Sequence, residues 1–279
     1  MDWYFDGGER PALYEFYFIY STDRQERLSA LHGQQGVILE TKKLYIKNKT
    51  SKKKEKNTMA SIVMVIGQSG TGKSTSLRNF KQGECSVVNV SRKPMPFKCN
   101  IPIANVGDYK TIKELLAKSE SPSIVIDDCS YLIVNSFMAK ADIKGYDKFT
   151  ELAKDFWELI NFCINELPDY KIVYFLGHSE KGDDGREHFK TVGRMLDNVC
   201  VLEGYCTVVL KTVVEDGNYY FSTKNNGYDT VKTPMGMFDA DRIPNDLKAV
   251  DEQVRKYFNL PTSKPAEKKA KEKVNAENA

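Results

Sequence analysis

The residues most able to do chemistry in this chain form one unbroken run, Gly67-Gln68-Ser69-Gly70-Thr71-Gly72-Lys73-Ser74. The run fits the phosphate-loop (P-loop) pattern G-x-x-x-x-G-K-[ST] at every fixed position. Gly67, Gly70 and Gly72 let the backbone turn tightly, with N–H groups pointed inward at a β-phosphate. Lys73 supplies a point charge to the β- and γ-phosphates, Ser74 a hydroxyl ligand for Mg²⁺, and Thr75 extends the binding set. The chemistry implied is binding of ATP together with Mg²⁺.

A second constellation lies further along, where Asp127-Asp128 end the apolar run Ile124-Val125-Ile126. A carboxylate at the end of a buried strand beside a phosphate loop stands where Mg²⁺ and its waters need negative charge. Asp127 is the expected acid on the Mg²⁺ side. Asp128 either polarises the attacking water or caps the following turn. Neighbouring strand residues point to opposite faces, so both acids reach the nucleotide only if the strand has ended.

His178 closes another apolar run, Leu176-Gly177-His178, and is either a sensor of the γ-phosphate or a structural hydrogen-bonder. His178-Ser179-Glu180 also matches the H-x-E of zinc deaminases, but the P-C-x-x-C that must accompany it is missing from the sequence. Residues 179–193 are too charged and glycine-broken for core. They read as a loop at the C-terminal edge of a sheet, facing a ligand, a neighbouring subunit or solvent.

These residues need a scaffold, and the pattern around them predicts a mostly parallel α/β sheet flanked by helices. Ile62 to Ile66 is a continuous apolar run, as expected of a parallel strand covered on both faces. A helix starts over Lys73 to Phe80. Further strands are expected at Cys85–Val90, Ile124–Ile126, Lys171–Leu176 and Val199–Glu203. Helices are expected at Thr111–Lys118, with Asp108 as candidate cap, at Asp147–Leu167, stopped by Pro168, and at Asn245–Phe258. Thr207–Val214 and Tyr219–Thr223 flank Asp216-Gly217, which signals a hairpin and an antiparallel edge.

Charge narrows the range of partners. Residues 1–58 hold 11 Lys/Arg and 8 Asp/Glu, which leaves 30 of each for residues 59–279. The main domain is neutral, so nucleic acid would have to be held by a local patch. The six cysteines contain no C-x-x-C pair, which argues against a zinc site or redox couple and suits reduced, buried thiols in a cytoplasmic compartment. No run reaches the roughly 20 apolar residues of a membrane span, so no membrane partner is expected. The start of the chain lacks the basic-then-apolar order of a signal peptide.

Residues 1–58 differ from the rest. Eight aromatics fall in the first twenty positions, and Lys42 to Lys56 contains eight lysines. This stretch is a basic arm, a solvated linker, or not part of the native protein. Lys54-Glu55-Lys56-Asn57-Thr58-Met59 is compatible with codons that make a purine-rich ribosome-binding site just ahead of a start codon. The expected organisation is a non-globular or spurious extension at 1–58, a nucleotide-binding domain at 59–260, and a disordered tail at 261–279.

The ordered set of motifs is specific. The phosphate loop with Thr75-Ser76-Leu77-Arg78-Asn79 is followed by Val88-Asn89-Val90, Lys93-Pro94, Asp127-Asp128, Gly145 to Phe149 and Gly177-His178. Thr191 to Asp197 and Lys232-Thr233-Pro234-Met235-Gly236-Met237-Phe238 complete it. Over about residues 60–260 the chain resembles the bacteriophage AAA-family ATPases with a RecA-like P-loop core, whose relatives include single-strand annealing and recombination proteins.

That resemblance implies a Mg²⁺-dependent ATPase of phage DNA metabolism, acting in recombination, annealing or replication, with single-stranded DNA as a partner and a homo-oligomeric form. It also implies that Lys232 is offered across a subunit interface to the γ-phosphate, with Arg194 as competitor. One departure stands out. RecA-like ATPases carry a catalytic Glu just after the second strand, and here that place reads Asn89-Val90-Ser91-Arg92-Lys93. Either Asp128 does that work or turnover is slow. A small-molecule kinase and a non-hydrolysing ATP-binding switch are the alternatives. The kinase is disfavoured because 178–194 offers only Arg186 and Arg194 for a lid.

Overall fold

A computed structural model describes residues 60–145, 147–192 and 200–263. The expectations for residues 1–58, for most of 261–279, and for Arg194 with its neighbours fall outside the described residues.

The first strand, β1 (Ser61–Gly67), is buried along nearly its whole length. Its side chains alternate between two apolar clusters. Ile62, Met64 and Ile66 join one, while Val63 and Val65 join the other. A period of two with both faces covered reads in sequence as an unbroken apolar run. The strands β2 (Cys85–Asn89), β3 (Ile103–Ala104), β4 (Ser123–Asp127) and β5 (Ile172–Lys181) extend the sheet on one side of β1. On the other side run β7 (Val208–Glu215), β8 (Asn218–Ser222) and β9 (Arg242–Pro244).

The spatial order is β3-β2-β4-β5-β1-β7-β8-β9. It is parallel from β3 to β7 and antiparallel at β8 and β9. The turn into β8 places Asp216 and Gly217 both at positive φ, which matches the right-handed twist of a two-residue hairpin.

Three helices cover one face: α1 (Tyr109–Lys118), α2 (Ser130–Ala139) and α3 (Asp147–Glu166). They contribute Ile112, Leu116, Leu132, Ile133, Phe156, Leu159 and Ile160 to the first cluster. Leu77, Phe80 and a fourth described helix, α4 (Leu247–Phe258), cover the other face. Asp108 caps α1 by accepting from Thr111 N–H at 2.8 Å. Asp246 caps α4 by accepting from Lys248 and Ala249. Arg255 on α4 is buried and pairs with Asp251 at 2.8 Å. It also donates to the carbonyls of Pro122 and Tyr170, tying α4 to the sheet end opposite the glycine loop.

Three expectations are corrected. The segment after the glycine loop is a six-residue 3-10 helix, Ser74–Asn79. Its first turn is tight because Ser76 N–H is shared between Gly72 and Lys73 carbonyls while Ser76 Oγ donates to Lys73 O at 2.6 Å. Within the described part of the strand expected over Val199–Glu203, Leu202–Tyr205 is instead a 3-10 turn that buries Leu202. Residues 179–193 are not simply a loop. β5 runs on to Lys181 and pairs antiparallel with β6 (Glu187–Phe189), which buries Phe189 in the first cluster. The sequence reading also passed over α2, whose run Leu132-Ile133-Val134 lacks a polar period to mark it as helical.

No helix among the described residues is long and apolar enough to cross a membrane. The six cysteines are free, and Cys85, Cys129, Cys163 and Cys206 are buried, where loss of solvation pushes each thiol pKa upward.

Candidate functional site

The parallel strands end at one edge, and their register sets the site. Gly67 at the end of β1 is paired with His178 on β5, and Asn89 at the end of β2 is paired with Asp127 on β4. Such an edge, beside the strand where connections switch direction, forms a crevice in open α/β sheets. Here it holds a cavity of about 430 Å³.

The glycine loop forms one wall. Ser69, Gly70, Gly72, Lys73, Ser74 and Thr75 line the cavity. Gly67, Gln68 and Thr71 do not line it but shape the loop. Lys73 Nζ donates to the carbonyls of Gly67 and Gln68, each at 2.8 Å, so the ammonium is clamped beneath the loop. Thr71 Oγ1 donates to Gln68 O and meets Thr212 Oγ1 at 2.6 Å. A Cβ on Gly67 would stand 1.8 Å from Thr212 Oγ1, so β7 leaves no room for any side chain there. Gly72 sits at φ +94°, a conformation for which glycine alone carries no steric cost.

Ser74 Oγ donates to Asp127 Oδ1 at 3.0 Å. Asp127 is the last residue of β4, and Asp128 takes φ +56° immediately after it. The strand has therefore ended, and both carboxylates line the cavity. Burial pushes the Asp127 carboxyl up to about 6, against the Ser74 hydrogen bond. Burial also works to raise the Asp128 pKa. Hydrogen bonds from His178 and Ser91, with the positive charges nearby, outweigh it and leave that carboxyl below its ordinary value. Burial lowers the Lys73 pKa, opposed by the negative charge of Asp128 and Asp127.

His178 bridges these groups. Its Nδ1 is 3.5 Å from Lys73 Nζ and its Nε2 is 3.5 Å from Asp128 Oδ1. An ammonium only donates, so Nδ1 accepts there and the ring proton belongs on Nε2, facing the carboxylate. The ring meets Tyr131 edge-on at 5.6 Å between centroids, and Ser130 Oγ accepts from His178 N–H at 2.8 Å.

Lys232 lies elsewhere. Its backbone exchanges two hydrogen bonds with Val209 on β7, its side chain is exposed, and it does not line this cavity.

The structure adds residues the sequence reading did not place in the site. Asn89, the last residue of β2 and the first of the stretch in which the resemblance implies a catalytic Glu, lines the cavity and donates to Lys93 O and Asn105 Oδ1. Lys93 reaches within 3.9 Å of Asp128 and lies over the Tyr131 ring. Pro94, Met95 and Pro96 face the loop across the cavity, and half-exposed Tyr219 on β8 forms the rim beside Gly72. Lys93-Pro94 was visible as a motif. Tyr219 was not, because only strand order brings it to the loop.

The site therefore combines a glycine-rich concavity, a clamped ammonium, a hydroxyl–carboxylate pair and a second acid–imidazole pair. This donor set suits a phosphorylated ligand with a divalent cation. Gly70 and Gly72 hold the turn open, while Ser74 and Asp127 offer the oxygen ligands that Mg²⁺ prefers.

No family model matches this chain, and no curated protein matches it. Among solved structures it is similar to the crystal structure of flagellar accessory protein FlaH from Methanocaldococcus jannaschii, at 13% identity and TM-score 0.37, over 67% of this chain and 84% of that one.

Proposed function

We propose that this chain is a RecA-like P-loop ATPase, binding ATP with Mg²⁺ in the cavity at the C-terminal edge of the sheet. The observation that carries the reading is the 3.0 Å contact between Ser74 and Asp127. Two sequence motifs 53 residues apart meet there in the arrangement a Mg²⁺–phosphate site needs. Ser74 and Asp127 would hold Mg²⁺, which supplies charge neutralisation at the phosphate oxygens when bound.

The chain's own residues supply the rest. The glycine loop's N–H groups orient the phosphates, and Lys73 stabilises the charge that grows on them. Asp128, ionised at neutral pH, is placed to accept a proton from the attacking water. His178 fixes Asp128's orientation on one side and touches Lys73 on the other. A role in phage recombination, annealing or replication, with single-stranded DNA as partner, is proposed on the sequence resemblance alone.

A second reading is favoured by one observation. Asn89, an amide engaged with Lys93 and Asn105, occupies the place of an acid. On that reading the protein binds ATP and switches a partner without turnover.

The deciding experiment measures ATP binding and hydrolysis, with and without single-stranded DNA, for the unaltered protein and Lys73→Ala. The ATPase reading expects turnover that falls by about 10²–10³ in the variant. ATP binding by the unaltered protein, weakened in the variant, with no turnover in either would favour the switch reading. Equal turnover by both would remove the site from this loop.

A further inference from the structure

Asn245 stands between β9 and α4 and is 3% exposed. Its main chain is fully engaged, with N–H donating to Tyr219 O at 3.1 Å and the carbonyl accepting from Arg78 at 2.6 Å. Its side chain is not. Neither Oδ1 nor Nδ2 has a hydrogen-bond partner among the described residues, although both are buried. Buried polar groups are nearly always paired, so an amide with both ends free calls for an explanation.

The explanation lies in what the amide faces. A Cβ on Gly72 would be 3.2 Å from Asn245 Oδ1 and 3.3 Å from Nδ2. The amide is packed directly against the backbone of the glycine loop, at its least conventional residue. The surroundings of this contact are tied together. Arg78 and Asn79, at the end of the 3-10 helix that follows the loop, bond to Asn245 O and to Asp246 Oδ2. Asp246 in turn caps α4. The loop, its helix and the start of α4 form one connected unit, and the buried Asn245 side chain takes no part in its hydrogen bonding among the described residues.

We propose that Asn245 is a positioning residue for the phosphate loop: the Asn245 side-chain amide pairs with the loop main chain at Gly72 when a nucleoside phosphate draws the loop's N–H groups around it. The free protein then carries an unsatisfied amide, and binding gives its Nδ2 an acceptor in the Gly72 carbonyl, which can accept a second hydrogen bond beside the one from Ser76 N–H. Part of the binding free energy comes from this pairing. The inference rests on the nucleotide reading of the loop.

The test uses the full chain with Asn245→Leu, which keeps the branched shape and removes both polar atoms, and with Asn245→Ala as a second variant. Two quantities are read: the melting temperature without nucleotide, and the Kd for Mg²⁺-ADP by calorimetry. Removing an unsatisfied amide should leave the nucleotide-free melting temperature of Asn245→Leu unchanged or raised. Losing the pairing should weaken Mg²⁺-ADP binding about tenfold in both variants. A lowered melting temperature in Asn245→Leu, or a Kd within twofold of the unaltered protein in both variants, would overturn the proposal, since the amide would then have a partner such as a buried water in the free protein. If the unaltered protein bound no Mg²⁺-ADP, the nucleotide reading would fall and this inference with it. Normal binding with an unchanged Kd in the variants overturns the inference alone.

Discussion

His178 Nε2 lies 3.5 Å from Asp128 Oδ1, and the same ring's other nitrogen lies 3.5 Å from Lys73 Nζ. One imidazole thus spans the two sides of the cavity, between the ammonium clamped under the loop and the acid just beyond β4. β5 makes this possible by running between β1 and β4, with its end in register with Gly67.

If Asp128 takes the proton from water and His178 orients it, the two should act as a unit. Asp128→Asn should lower ATP hydrolysis by about 10²–10⁴ while leaving ATP affinity within a few fold. His178→Ala should lower it less. The double variant should be little worse than Asp128→Asn, because residues in one network are not additive. Independent, multiplying losses would separate the two residues.

Asp127 gives the site a pH dependence. Its folded pKa, about 6, lies above the ordinary 3.8, so the fold holds this proton more tightly than the unfolded chain does. The stability from this group is fully present below 3.8 and is lost as pH rises through about 6. Above that range the carboxylate is charged against its burial, with the Lys73 ammonium only partly offsetting it, and Mg²⁺ would add counter-charge. The rise in melting temperature that Mg²⁺ adds to ATP should be larger at about pH 7.5 than at about pH 5.5. An equal rise at both would remove Asp127 from the metal side.

The proposal that a neighbouring subunit offers Lys232 predicts a complementation. Lys232→Ala should keep ATP binding and lose hydrolysis. Mixing it with Lys73→Ala should restore activity, because some interfaces then pair an intact loop with an intact Lys232. Hydrolysis by a protein that sediments as a monomer, or a mixture without rescue, would leave Lys232 as an exposed residue bridged to Val209 of β7.

The close approach of β7 to the glycine loop sets a stability test. Gly67→Ala places a methyl against Thr212 Oγ1 and should cost about 1–3 kcal/mol by overpacking. Thr212→Ala should recover part of that cost by removing the nearest atom, while Thr71 Oγ1 at 2.9 Å and the Cβ of residue 212 at 3.1 Å still crowd the methyl. The check is urea denaturation of the single and double variants. Failure of Thr212→Ala to rescue would place the strain elsewhere.

The local features of this protein were readable from sequence because their causes are local. The apolar run of β1, the α3 face, the Asp108 cap and the Asp216-Gly217 turn each follow from periodicity or turn chemistry within a few residues. The glycine loop was readable for the same reason, since its glycines, lysine and serine are contiguous. The corrected elements depended on partners far along the chain. Val199–Glu203 has strand-forming residues, but Leu202 is buried from a 3-10 turn. Residues 179–193 carry enough charge to look like a loop, yet Phe189 finds the core and pulls β6 into a hairpin. Ser74 and Asp127 were expected together at Mg²⁺ from their two motifs, whereas the meeting of His178 with Asp128, and of Tyr219 and Asn245 with Gly72, was decided by tertiary structure alone. Those contacts are set by strand order and register, and order and register are fixed by which buried faces fit together over long sequence separations, which no local pattern encodes.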